Sequence, residues 1–168
     1  MKKGLLKELE EFINEMLDVS GKIALKNFRE IREMSLKGDS SPVTKTDIKI
    51  EQYIRTKILE NYPNHKIIGE ELDYVDGTEN ITWYIDPIDG TRSFVAGKHD
   101  FGTLLAVVMD EEIIGGVVDC PALGERWTSF HPKQTKVNQV ITQCKAVEDL
   151  SNAVMATTSS HEFGMKKW

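Results

Sequence analysis

Residues 103–119, Thr-Leu-Leu-Ala-Val-Val-Met-Asp-Glu-Glu-Ile-Ile-Gly-Gly-Val-Val-Asp, decide the fold class. Two apolar runs, Thr103 to Met109 and Ile113 to Asp119, are separated only by Asp110-Glu111-Glu112. A parallel crossover needs about a dozen residues or more, so runs this close form an antiparallel hairpin. Further β-type runs lie at Lys66 to Ile68, Ile81 to Ile85, Glu125 to Phe130 and Val137 to Thr142. Ahead of them, Leu5, Leu9, Phe12, Ile13, Met16, Val19, Ile23 and Phe28 recur at helical spacing and predict an amphipathic helix. Gly38-Asp39-Ser40-Ser41-Pro42 reads as a loop. A second helix is expected after an N-cap at Thr46 or Asp47, with Ile50, Ile54 and Ile58 on one face, stopping at Asn61-Tyr62-Pro63-Asn64. Helices followed by strands predict an α+β fold, with two N-terminal helices packed on a mainly antiparallel sheet.

With 40% hydrophobic and 29% charged residues among 168, the chain has the composition of a globular protein, which excludes disorder. Lys and Arg total 21 against 27 Asp and Glu, a formal charge of −6. That balance argues against a broad nucleic-acid or anionic-membrane surface and suits a protein that holds cations. The longest apolar run, Leu104 to Met109, falls far short of the roughly 18 to 20 residues that span a bilayer. Lys7, Glu8, Glu10 and Glu11 interrupt the N-terminal stretch where an export signal would be uncharged, so none is expected. Cys120 and Cys144 are too few for a disulfide framework and too far apart for a Cys-x-x-Cys site. Reduced thiols and a cytoplasmic location are expected.

Chemistry concentrates in Trp83-Tyr84-Ile85-Asp86-Pro87-Ile88-Asp89-Gly90-Thr91-Arg92-Ser93-Phe94. A buried strand is expected to deliver Asp86 at its end, followed by a Pro-kinked turn, Asp89, and Gly90-Thr91 opening a short helix. Two carboxylates on a rigid turn supply the hard oxygen donors that Mg²⁺ prefers. Pro87 leaves neighbouring carbonyls such as that of Ile88 available as ligands. Backbone N–H groups of Gly90 and Thr91 at a helix start suit an anion. Gly69-Glu70-Glu71 places a second acidic pair directly after Ile67-Ile68, again at a strand end. Clustered carboxylates repel one another unless a cation neutralises them. Asp47 has two readings of equal weight, an N-cap or a group supporting catalysis. Lys37 reads as a solvated loop lysine. His65, His99, His131 and His161 are scattered and read as surface residues, while Trp83 and Trp127 read as core.

In their order and spacing, Ser41-Pro42-Val43-Thr44 followed by Asp47, Ile68-Gly69-Glu70-Glu71, and Asp86-Pro87-Ile88-Asp89-Gly90-Thr91 resemble the motifs of the inositol monophosphatase family of metal-dependent phosphatases. The resemblance continues through Phe101-Gly102-Thr103-Leu104, Gly124-Glu125-Arg126-Trp127 and Ala156-Thr157-Thr158-Ser159. Arg92-Ser93-Phe94 and the Gly-Glu-Arg-Trp segment look closer to the histidinol-phosphatase branch. The resemblance implies Mg²⁺ held by Glu70, Asp86, the Ile88 carbonyl and Asp89, with two or three ions in a complete site. It implies that Thr91 and Asp47 orient and help deprotonate the attacking water, that Glu70 joins them as a catalytic group, and that Gly90 and Thr91 hold the substrate phosphate. The implied substrate is a small phosphorylated metabolite such as histidinol phosphate or inositol monophosphate, and the implied assembly is a homodimer.

Family members continue into a second half with a Trp-Asp or Tyr-Asp motif, which the residues after Ser159 do not supply. Residues 1–150 are accordingly expected to form the N-terminal domain of such a phosphatase, and 151–168 to begin a truncated C-terminal domain, with activity impaired. A non-catalytic metal-binding or assembly remnant is the competing reading. An aspartyl-nucleophile phosphatase needs Asp-x-Asp-x-Thr, and the spacing of Asp86 and Asp89 is wrong for it. A P-loop and an EF-hand loop are both absent from the sequence.

Overall fold

The computed structural model describes residues 2–30, 34–36, 42–131 and 134–154. It has the expected α+β architecture, two long N-terminal helices packed on one face of a mainly antiparallel sheet. Helix α1 spans Lys2–Asn27, with Leu9, Ile13, Met16, Leu17 and Ala24 buried along one stripe. A short ribbon of β1 (Met34–Leu36) and β2 (Pro42–Thr44) leads into α2 (Lys45–Asn61), which buries Ile50, Ile54 and Ile58. The N-cap of α2 is Thr44, not Thr46 or Asp47. Thr44 accepts from the Thr46 amide, and Asp47, at the third helical position, accepts from the Thr44 amide at 2.9 Å. This reciprocal capping box satisfies helix donors that a single cap would leave unpaired.

The seven-stranded sheet has the order β3-β4-β5-β6-β7-β8-β9, from β3 (Lys66–Gly69) and β4 (Ile81–Asp89) through β5 (Gly102–Met109), β6 (Glu112–Cys120) and β7 (Glu125–His131) to β8 (Gln134–Val137) and β9 (Val140–Thr142). Among the described residues only β3 and β4 pair in parallel. The hairpin read from residues 103–119 is present, its tight turn formed by Asp110 and Glu111, both at positive φ. The run from Val137 to Thr142, expected as one strand, is instead the end of β8, a turn and β9, because Asn138 and Gln139 adopt positive φ and reverse the chain.

Alternation along the strands sends Trp83, Ile85, Leu105, Val107, Val117 and Phe130 into the core beneath the helices. The opposite face carries Ile68, Tyr84, Val118 and Trp127, all exposed to more than a third among the described residues. Trp127 is thus a residue of the open face, whereas Trp83 is fully buried as expected. His65 departs from its surface reading too. It is 4% exposed, stacks on Tyr62 with ring centres 4.8 Å apart, and accepts a hydrogen bond at Nδ1 from Trp83 Nε1 at 2.9 Å.

The residues from Ile141 to Val154 include only one further short element, a 3₁₀ turn at Leu150–Asn152 capped by Asp149. Lys37, Ser41, His161 and the Ala156 to Ser159 segment lie outside the described residues.

Candidate metal and phosphate site

Strand β4 does not end at Asp86 as expected but runs on through Pro87 to Asp89. Its pairing with β5 slips between Asp86, opposite Leu104, and Asp89, opposite Gly102, so one extra residue is accommodated. Proline is tolerated inside a sheet at such a bulge, where the missing N–H breaks no regular ladder bond. The Pro87 carbonyl is secured from the side by the Thr103 hydroxyl at 2.9 Å. In an unbroken strand, residues three apart would face opposite sides. The bulge shifts that phase, leaving Pro87 and Ile88 both buried while Asp86 and Asp89 lie toward the surface and feel each other's charge.

Immediately after Asp89, Gly90 turns the chain at φ 79°, and α3 (Thr91–Val95) begins. A Cβ at Gly90 would meet the Asp100 carbonyl at 2.8 Å, so glycine is required by both conformation and space. The Thr91 hydroxyl is 2.9 Å from the Ile88 carbonyl and 3.3 Å from Asp47 Oδ1. The Ile88 carbonyl therefore keeps one free lone pair at most beside its Thr91 contact.

Asp47 is fully buried. Burial raises its pKa above the ordinary carboxylate value, opposed by hydrogen bonds from Thr44 and Thr91. Its Oδ2 takes both the amide and the hydroxyl of Thr44, leaving Oδ1 directed at Thr91. Asp47 is therefore not the N-cap residue, but its carboxylate completes the cap of Thr44 through Oδ2 and meets Thr91 through Oδ1.

Glu70 enters from β3. Its amide donates to the Ile85 carbonyl at 3.1 Å, fixing the backbone beside β4. Burial and then the Glu70 carboxylate, by charge and hydrogen bonding, push the Asp86 pKa up to about 8, with smaller contributions from Asp89 and Asp47. Asp86 Oδ1 is buried with no hydrogen-bond partner. A buried carboxylate oxygen without a donor is costly, and it faces other acids rather than bases. Among the described residues, no three acidic, imidazole or thiol groups converge closely enough to enclose an ion. Glu70 and Asp89 nevertheless lie near enough to Asp86 to raise its pKa. This all-oxygen donor set and its orphaned Asp86 oxygen fit a hard divalent cation.

Sequence reasoning missed Glu51 and Arg55, both buried on α2. Their Oε1–Nε distance is 2.8 Å, and together they hold the segment that follows Glu70. The signal was present. Asp47, Glu51 and Arg55 recur every four residues, a charged stripe beside Ile50, Ile54 and Ile58 on the inward side of the helix.

A cavity of about 980 Å³ on the open sheet face is lined in part by Glu70, Asp86, Tyr84, Val118 and Trp127. The carboxylates therefore border a largely apolar hollow. Next to Trp127, Arg126 binds Asp119 at 2.7 Å and Asp18 at 2.9 Å, tying the sheet to α1.

The inositol monophosphatase family model matches residues 5–165. The chain is 38% identical over 161 residues to the chloroplastic bifunctional phosphatase IMPL2 of Arabidopsis thaliana, covering 93% of this chain and 46% of that protein. It is 32% identical to a histidinol-phosphatase of Chlorobaculum parvum, covering 86% of this chain and 56% of the relative. Among solved structures, it resembles the Thermotoga maritima IMPase at 28% identity and a TM-score of 0.73, covering 78% of this chain and 51% of the other. The Bartonella henselae suppressor protein suhB, at 22% identity, shares the fold with a TM-score of 0.80. The chain spans about half the length of the curated relatives it matches. Sequence match and shared architecture agree, and the chain belongs to the inositol monophosphatase family.

Proposed function

We propose that this chain carries the cation- and phosphate-binding half-site of a Mg²⁺-dependent phosphomonoesterase acting on a small phosphorylated alcohol, histidinol phosphate or inositol monophosphate. The observation that carries the reading is the buried, partnerless Asp86 Oδ1 beside Glu70 and Asp89. Glu70, Asp86, Asp89 and the Ile88 carbonyl would hold Mg²⁺. Bound Mg²⁺ supplies Lewis acidity, acidifying water and neutralising phosphate charge. The Thr91 hydroxyl has a single proton and two nearby acceptors, Ile88 O and Asp47 Oδ1, so it can take a proton from water as it passes its own to Asp47. Burial favours the protonated form of Asp47, suiting it to receive that proton. The backbone amides of Gly90 and Thr91 are assigned to the phosphate. Residues 1–150 constitute the N-terminal domain in this reading, with 151–168 opening the next, in a cytoplasmic and dimeric protein. No described helix is long and apolar enough to cross a membrane.

Half-length coverage of the relatives favours a second reading, in which the chain binds the cation without turnover. Titration with Mg²⁺ and phosphate-release assays separate the two. Mg²⁺ binding lost in Asp86→Asn, with phosphate released from either ester, supports the enzyme. The same binding without release supports the remnant, and no Mg²⁺ binding by the unmodified chain refutes both.

A further inference from the structure

Helix α2 spends a fully buried glutamate and a nearly buried arginine on a stretch of backbone, not on a substrate cleft. Glu51 Oε2 accepts from the Glu71 amide at 2.8 Å and Oε1 from the Leu72 amide at 3.2 Å. Arg55 Nη2 donates to the Leu72 carbonyl at 2.8 Å, Nη1 to the Asp73 carbonyl at 2.6 Å, and Nε to Glu51 at 2.8 Å. The pair thus grips both the donors and the acceptors of residues 71–73. Upstream, the Glu70 amide is pinned to the Ile85 carbonyl of β4. Glu70 is therefore the residue between two fixed points, one on the sheet and one on the helix.

Stability alone is a poor account of this arrangement, because buried ion pairs are often matched or bettered by apolar residues of similar volume. What an apolar pair cannot do is hold polar backbone in a defined path. Gly69 shows how tightly the grip is built: a Cβ there would lie 1.9 Å from Glu51 Oε1 and 2.8 Å from Arg55 Nη2. The carboxylate of Glu51 and the guanidinium of Arg55 occupy the space that any other residue at 69 would fill.

We propose that the Glu51–Arg55 pair is a positioning device that locks residues 71–73 to α2 and thereby holds the Glu70 carboxylate beside Asp86. The inference rests on reading Glu70 as a cation ligand. Supporting groups behind metal ligands commonly change metal affinity about 10- to 100-fold when removed. Glu51→Gln preserves shape but turns one acceptor into a donor, facing the Glu71 or Leu72 amide.

The test measures Mg²⁺ affinity by calorimetry, and amide hydrogen exchange of residues 70–73, in the unmodified chain, Glu51→Gln and Arg55→Lys, well below their melting temperatures. Glu51→Gln is expected to weaken Mg²⁺ binding by about 10- to 100-fold and to speed exchange at Glu71 and Leu72. Arg55→Lys, keeping the charge but losing the fork, should fall between. A purely structural pair would lower the melting temperature while the folded protein bound Mg²⁺ as before, and that result overturns the proposal. Unchanged exchange at Glu71 and Leu72 overturns it as well, even where the unmodified chain binds no Mg²⁺, an outcome that otherwise counts against the proposed function and not against the clamp.

Discussion

Acidification should destabilise the fold through His65. Its Nδ1 accepts from Trp83 Nε1 at 2.9 Å, so the neutral ring carries its proton on Nε2, 3.3 Å from Glu79 Oε2. A second proton would have to enter at Nδ1, facing the indole N–H. Burial lowers the folded-state pKa below 6.5, and Glu79 only partly opposes it. The unfolded chain therefore binds the proton first, and the stabilisation is complete above the unfolded value and is lost as pH falls from there. Full suppression of protonation in the folded state would cost about 1 kcal/mol between about pH 6.5 and 5.5. Burial also raises the pKa of Asp47 and of Asp119. Asp86, with its pKa raised to about 8, contributes in the opposite direction, being stabilising in acid and lost as pH rises through that value. Urea denaturation of the parent chain and of His65→Gln, compared at each pH, cancels the shared titrations. The parent should lose stability relative to the variant on acidification. A difference that stays flat, or changes in the parent's favour, refutes the tautomer and burial argument.

Asp86→Asn should stabilise the metal-free chain by about 1–3 kcal/mol, by removing an unpartnered buried carboxylate, while abolishing Mg²⁺-induced thermal stabilisation; both are read from melting curves with and without Mg²⁺. Thr44→Ala should cost about 1 kcal/mol as the α2 cap is lost, measured by urea unfolding. Arg126→Leu leaves Asp119 buried without its partner and should cost about 3 kcal/mol, near the lower end for a broken buried pair because Arg126 is partly exposed; chemical denaturation gives the value. Gly90→Ala should lower stability by more than the about 1 kcal/mol of left-handed strain alone, since its Cβ would also strike the Asp100 carbonyl; melting temperature checks it.

The fold class was legible because its determinants are local. A short acidic turn between apolar runs forces a hairpin, and the α1 stripe repeats over many turns. Element ends were harder. Thr44 outcompetes Thr46 as cap because only Thr44 can exchange bonds with Asp47 three positions later. Pro87 suggested a turn, yet the chain keeps its strand pairing by inserting a bulge, a choice made by the neighbouring strand β5 rather than by residues 86–89. Asp86 and Asp89 stood out through their spacing in a compact motif. Glu51 and Arg55 did not, because a helical Glu–Arg pair at four-residue spacing is ordinary on a surface and only the approach of residues 69–73 makes this one buried. His65 was misread for the same reason, since its partner is eighteen residues away on β4.

The pairing of each strand with its neighbour in the chain has a kinetic consequence. From β3 to β9 every strand pairs with its successor in the chain, so the sheet can form from near neighbours. Such local contacts assemble readily, whereas the contact of Asp47 with Thr91 joins residues 44 apart in the chain. Glu70, Asp86 and Asp89 therefore belong to the locally paired sheet, and Asp47 to the more distant α2. A cation held by Glu70, Asp86 and Asp89 would therefore sit on locally assembled strands, and only the support of Asp47 waits on the docking of α2.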